Sequence, residues 1–311
     1  MIRLFLSRLL GGMFVVFLVA TFSHFMLRLA PGGPFDQDKP LPPLIKKNLE
    51  KAYGFDKPPL EQYAHHMKQL LPNPSNGFRP YLGYSVIQKR PVVDIVKAGF
   101  PVSFKLGFAA IGFACFFGIG LGVLAASRQN SLFDHGAMSL ALLGISIPSF
   151  VLAPLLILLF GVKLGWLPVA RLEGLSGLVL PSLTLGLIYM GVIARLSRSG
   201  MLETLSMDYI RTAHAKGLAK WRVVWKHAIR IGLMPVVTYL GPAFATIITG
   251  SFVVEKIFQI PGLGFYFVES VSTRDYDLLT GLLVVYALFM VVANFLVDMA
   301  YGFLDPRIRD V

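Results

Sequence analysis

A single cysteine, Cys115, occurs in the chain, and it lies within an apolar run. That excludes an internal disulfide, a thiolate metal centre and a CxxC redox motif. Charge is scarce too: Asp, Glu, Lys and Arg make up 15% of the residues, against roughly a quarter in a soluble domain. No G-x-x-x-x-G-K-[ST] phosphate loop occurs, so the chain does not bind and hydrolyse a nucleotide by that route. H-E-x-x-H is missing, and no His follows His227. An intramembrane serine protease built on Gly144-Ile-Ser-Ile-Pro-Ser would therefore have no base in the last two apolar runs. A diaspartyl protease fails because Asp298 has no second intramembrane Asp beside it. An ion-coupled secondary transporter would usually need more intramembrane carboxylates and an internal repeat, and neither is evident.

What the chain has in abundance is apolar surface. Hydrophobic residues make up 55% of it, with 25 Phe, and the mean hydropathy is +0.66. Long uncharged runs alternate with short polar stretches, as repeated bilayer crossing requires when each helix needs about 20 mainly apolar residues. The spans are expected near 9–30, 102–126, 136–161, 178–194, 231–254 and 278–304. This is an all-α polytopic membrane protein of about six transmembrane helices. The first apolar run follows Arg3 and Arg8 but is too long for a signal peptide and lacks a small-residue cleavage site, so it is expected to be retained.

Lys and Arg in short loops stay on the cytoplasmic side. With both termini inside, the cytoplasmic segments carry Arg3, Arg8, Arg128, Arg195, Arg198, Arg211, Lys216, Lys220, Arg222, Lys226, Arg230, Arg307 and Arg309. The short outer loops hold only Lys163, Arg171, Lys256 and Arg274. The net charge of +12 is then mostly a topology signal rather than a nucleic-acid footprint. Three regions follow: 1–30 with the first span, an extracytoplasmic cap over 31–100, and a core over 101–311 with a cytoplasmic loop at 195–230. The cap is partly helical. Leu44, Ile45, Leu49 and Tyr53, then Leu60, Tyr63, Met67, Leu70 and Leu71, recur at helical spacing between Pro and Gly breaks.

The 195–230 stretch is too polar to cross a bilayer. Met207, Ile210, Ala213 and Leu218 predict a short helix with one apolar side, stopped by Gly217. Asp208 near its start and Lys216 at its end suit the helix macrodipole. Such a helix can present a knob to a cytoplasmic partner, and by physics alone it could equally lie on anionic lipid.

The string Asp208-Tyr-Ile-Arg-Thr-Ala-His-Ala-Lys-Gly-Leu, followed by His227-Ala-Ile-Arg and Leu233-Met-Pro-Val, resembles the "EAA" loop of binding-protein-dependent ABC transporter permeases in its peptide-permease form. The resemblance extends over nearly the whole chain. It includes Arg28-Leu-Ala-Pro-Gly-Gly-Pro-Phe, Gly99-Phe-Pro-Val-Ser-Phe-Lys-Leu-Gly, Ile147-Pro-Ser-Phe, Ile248-Thr-Gly-Ser-Phe-Val-Val-Glu, Ile260-Pro-Gly-Leu-Gly, Arg274-Asp-Tyr and Asp305-Pro-Arg. Within the peptide/nickel importer family it is most similar to the B-type, oligopeptide permease subunit, a likeness that Leu41-Pro-Pro strengthens. One departure is 71–84, which is less rich in Gly and Asp than the usual pattern.

The resemblance implies a type I ABC importer permease fold in a bacterial cytoplasmic (inner) membrane. Its partners would be a second permease subunit, two ABC ATPase subunits and an extracytoplasmic peptide-binding protein. ATP and Mg would sit on the ATPases, with no cofactor bound by this chain. The coupling helix would comprise Met207, Asp208, Tyr209, Ile210, Arg211, Thr212, Ala213, His214, Ala215, Lys216 and Gly217. Related systems carry oligopeptides, dipeptides, murein peptides, opine-like compounds or nickel chelates. Glu255, Pro261, Gly262 and Gly264 form a candidate outer gate or binding-protein contact. Among ionisable residues in the spans, Lys105 and Arg28 can snorkel from the outer ends, and His24 and Asp298 are expected to pack. Gly11-Gly12, Gly118-x-Gly-x-Gly122 and Gly241 are expected at close helix contacts.

Overall fold

The computed structural model describes residues 2–29, 35, 42–52, 54–70, 81–170 and 174–304. The expectations placed on 30–34, Leu41, Tyr53, 71–80, Arg171, 305–311 and the side chains of Leu49 and Asp298 lie outside the described residues. The chain divides into two compact units. One comprises Met1–Val102, Pro261–Phe295 and Arg309–Val311; the other comprises Ser103–Ile260 and Leu296–Ile308.

The first unit begins with α1 (Ile2–Leu29), whose segment Leu10–Leu29 is apolar enough to span a membrane. Two short helices follow, α2 (Pro43–Ala52) and α3 (Pro59–Leu70), then a hairpin of β1 (Tyr84–Ser85) and β2 (Arg90–Pro91). The strands pair antiparallel, Tyr84 opposite Pro91 and Ser85 opposite Arg90. Val92, Ile95, Leu263, Leu278 and Leu282 form the buried cluster here. They come from the start of α4 (Val92–Ser127), from α13 (Leu263–Thr273) and from α14 (Tyr276–Leu304).

The amphipathic expectation for the outer segment holds only in part. Tyr63, Met67 and Leu70 on α3 are half-buried, whereas Leu44, Ile45 and Leu60 are exposed at 74%, 48% and 71%. An apolar stripe buries only where a second surface is supplied, and α2 finds none for these side chains among the described residues.

The second unit is built around α7 (Ser176–Leu205), which buries residues along its whole length from Gly177 to Thr204. Around it pack α5 (Leu132–Ser146), α6 (Ser149–Leu156, continued by a π-helical turn Ile157–Lys163), α11 (Met234–Gly250) and α12 (Phe252–Ile257). Between α7 and α11 lie α8 (Asp208–Ala215), α9 (Lys220–Arg222), a π-helical turn Val223–Ala228 and α10 (Ile229–Gly232).

Three boundaries differ from the expected ones. The third span is not one continuous helix: α5 and the helix after it are bent by 104°. The cause is Pro148, which disfavours helical backbone in the residue before it, and Ile147 sits at φ −88, ψ 117. The fourth helix runs past 194 to Leu205, so Arg195–Leu205 is helical rather than loop. Charge ends the apolar pattern there, but Ser197, Gly200, Met201 and Thr204 still bury one face. Between the fifth and sixth spans, α13 replaces an expected loop. Among the described residues, five helices are long and apolar enough to cross a membrane, or six if the bent pair is one span.

Close helix contacts account for Gly12, Gly118 and Gly122 among the glycines named above. A Cβ on Gly122 would strike the Ala194 carbonyl, and one on Gly118 would lie 2.8 Å from the Met190 carbonyl. On Gly12 it would meet Val291. Gly11 and Gly120 face open space instead.

Candidate functional site

The helix α8 forms as the sequence predicts. Met207 precedes it with extended backbone (φ −72, ψ 150), and Asp208 sits in the first turn. Gly217 closes it with φ +76, while its N–H donates to the His214 carbonyl at 2.9 Å. That left-handed conformation costs a side-chain-bearing residue free energy, and Gly avoids the cost.

Burial divides the α8 side chains sharply. Ile210 and Ala213 are 1% and 7% exposed and join a cluster with Val123, Ala126, Met201, Val223 and Ala228. Leu218 packs half-buried against the same cluster. Met207, Asp208, Tyr209, Arg211, Thr212, His214, Ala215, Lys216 and Gly217 are all exposed. The helix is thus fastened on one side to the ends of α4 and α7 and bare on the other. Such an element can transmit a push or a pull as part of a rigid body. The Arg211–Asp208 pair at 3.6 Å lies on the exposed side, where ion pairs contribute little.

A second feature of this end of the unit was not singled out by the sequence reading. Arg198 donates from Nε and Nη2 to the two carboxylate oxygens of Asp134, at 2.6 and 2.7 Å. Asp134 is 2% exposed and also accepts the Asn130 N–H at 2.9 Å. The bidentate pair clamps the start of α5 to α7. Its signal was available: Asp134 is the one acidic residue between Asp94 and Glu173.

The candidate gate residues fall in both units. Glu255, in the second, is fully buried and accepts a hydrogen bond from Ser251 Oγ at 2.5 Å. Its backbone carbonyl accepts the Ile260 N–H at 2.9 Å, folding the segment that leads to Pro261. In the first unit, Pro261 is exposed, whereas Gly262 and Gly264 are buried. A Cβ on Gly99 would lie 3.2 Å from the Gly262 backbone, so that part of α13 packs tightly on α4.

His24 is buried and packs edge-on to Tyr63, with ring centroids 5.4 Å apart. Among the described residues its Nε2 has no hydrogen-bond partner. Lys105 is exposed. Among the described residues no group of three His, Cys, Asp or Glu could hold a metal ion.

Comparison with known proteins places this geometry. The family described as "Binding-protein-dependent transport system inner membrane component" matches residues 118–310. Its companion, "Binding-prot-dependent transport system membrane comp, N-term", matches 1–107. The dipeptide transport system permease protein DppB of Bacillus subtilis is 45% identical, over 99% of this chain and 98% of that protein. The oligopeptide transport system permease protein OppB of Escherichia coli K12 is 42% identical, over 99% of this chain and 100% of that one. Among solved structures, a chain of the inward-facing MetNI methionine ABC transporter matches with a TM-score of 0.58 at 17% identity. The match covers 68% of this chain and 96% of that chain, and it establishes the shared fold.

Proposed function

The chain belongs to the family of binding-protein-dependent transport system inner membrane components, and we propose that it forms half of the translocation pathway of an ATP-driven oligopeptide importer. It is a multi-pass membrane protein with the fold of ABC importer permeases. In this reading both termini are cytoplasmic, residues 31–100 form the outer cap, and α8 faces the cytoplasm. A second permease subunit completes the pathway, two ATPases hold ATP and Mg, and an extracytoplasmic binding protein delivers peptide. Alternating access then comes from helices moving largely as bodies around the pathway.

The observation that carries this is the divided surface of α8. Ile210 and Ala213 tie the helix to α4 and α7, and the residues from Met207 to Gly217 leave its other side bare for an ATPase. Glu255 acts through the fold of 251–260, its carboxylate being buried, while Pro261 is the exposed member of the outer group. Dipeptides are a second reading, favoured by the 45% identity to a dipeptide permease.

The test is purification of the tagged chain from its native membrane in mild detergent, followed by ATP-driven uptake of labelled di- and tetrapeptides into proteoliposomes. Recovery of a second permease and ATPases, with tetrapeptide uptake, supports the reading. Gly217→Asp should abolish uptake and leave membrane insertion intact. Isolation of this chain alone across several detergents would refute it.

A further inference from the structure

The first unit contains a cavity of about 520 Å3 among α2, α3, the hairpin and the start of α14. Its volume lies in the range of small-molecule sites, roughly 300–1,000 Å3. The wall carries Lys51, Lys57, His65, His66 and Asp277. Asp277 Oδ2 accepts the Tyr84 N–H at 3.3 Å, and the Arg28 guanidinium interacts with the carboxyl electrostatically without offsetting its burial. His65 exchanges a hydrogen bond with Gln69 at 2.8 Å. Burial, with Arg28 and His65 adding to it, pushes the His66 pKa down to about 4, so that ring is neutral near pH 7. The balance of charge is set by Lys51 and Lys57.

Hydrogen bonds among protein groups organise the backbone beside the cavity. Arg28 Nε donates to Gln62 Oε1 at 2.7 Å, and Gln62 Nε2 donates to the Lys57 carbonyl at 2.7 Å and to the Phe55 carbonyl at 3.2 Å. That chain of bonds fixes the backbone from which Lys57 projects, which lowers the ordering cost of binding. The cavity therefore offers two ammonium groups, one carboxylate and few apolar walls. That pattern matches the termini of a peptide rather than any particular side chain.

We propose that this cavity binds short zwitterionic peptides, with the C-terminal carboxylate on Lys51 and Lys57 and the N-terminal ammonium toward Asp277. The inference rests on the peptide-importer reading, which places the cavity on the outer side. It gives the permease a peptide site of its own.

The test uses the full-length chain without partners or ATP, in phosphatidylcholine nanodiscs, with triglycine as the calorimetric probe. Triglycine should bind, and its C-terminal amide should bind about 10-fold more weakly, the loss expected for a charge-assisted hydrogen bond. The Lys51→Gln/Lys57→Gln variant should weaken triglycine by a similar factor while leaving the amide unchanged. Lys57→Arg should retain binding. The proposal is overturned if triglycine does not bind, or binds equally to the wild-type chain and the double variant. Inorganic phosphate binding more tightly than triglycine, or phosphatidylglycerol discs abolishing peptide binding, would reassign the lysines to a phosphate and also overturn it. Peptide uptake by the assembled transporter is a separate readout. Its persistence alongside failed binding would sink this site and leave the importer reading standing.

Discussion

In the second unit helices meet backbone to backbone at glycine, whereas many long-range ties in the first run through polar side chains. A Cβ on Gly191 would strike the Ala141 carbonyl, and one on Gly200 the Gly232 carbonyl. In the first unit, Asp275 accepts from Ser85 Oγ at 2.5 Å and from the Ile87 N–H at 3.3 Å. Arg90 donates to the Tyr266 hydroxyl at 2.9 Å, and Arg28 to Gln62 at 2.7 Å. Close packing at small residues is how helices hold together in lipid, where apolar side chains gain nothing by leaving the solvent. Side-chain hydrogen bonds suit short elements such as α2, α3 and the hairpin, which bury too little to hold by packing alone.

The largest expected effect comes from the exception within the second unit, its part-buried ion pair. Asp134→Ala removes the acceptor of Arg198 and should cost ~3 kcal/mol, the upper scale for hydrogen bonds to a charged group. Thermal unfolding in detergent would show it, and Asp134→Leu with Arg198→Met should recover much of the loss. Gly122→Leu should follow at ~3 kcal/mol, because α4 and α7 must separate to admit it. Gly120→Ala, facing open space, should change nothing, and equal losses at the two positions would remove the packing half of the comparison.

In the first unit Ser85→Ala should cost about 1–2 kcal/mol by removing a donor from a buried carboxylate. Hydrogen exchange confined to 82–91 and the start of α14 would locate the loss.

Two pH slopes of opposite sign are also expected within this unit. Burial outweighs the donated hydrogen bonds and holds the Asp275 carboxyl above the usual carboxylate range. The folded chain therefore keeps that proton longer, and stability should fall as pH rises from about 4 toward the raised value, then level off. His66 works the other way: with its pKa down at about 4, stability should be lost as pH falls from 6.5 toward 4. Melting temperature against pH should flatten in the first window for Asp275→Asn and in the second for His66→Gln.

Much of this was legible in the sequence for a physical reason. Apolar runs of bilayer length and the Met207, Ile210, Ala213 spacing are local signals, and α8 ends where Gly217 requires it. The kink at Ile147-Pro148 was also written locally, but a long apolar run masked it. The continuation of α7 to Leu205 was missed because polarity marks the edge of a membrane, not the end of a helix. The Asp134–Arg198 clamp and the lysine cavity depend on residues distant in sequence meeting in space, which periodicity does not report. Leu44 and Ile45 show the converse, an amphipathic stripe that this chain alone leaves exposed.

The most direct test of the account is a cysteine cross-link from the bare side of α8. Cys115→Ser removes the single native thiol, and Lys216→Cys or His214→Cys places one on the exposed face. A short bifunctional thiol–amine reagent is then added to the transporter purified from its native membrane. The account predicts an adduct between this chain and an ATPase subunit, absent when the cysteine is placed at Leu132 instead. An intact complex that yields no ATPase adduct from either α8 position would contradict it.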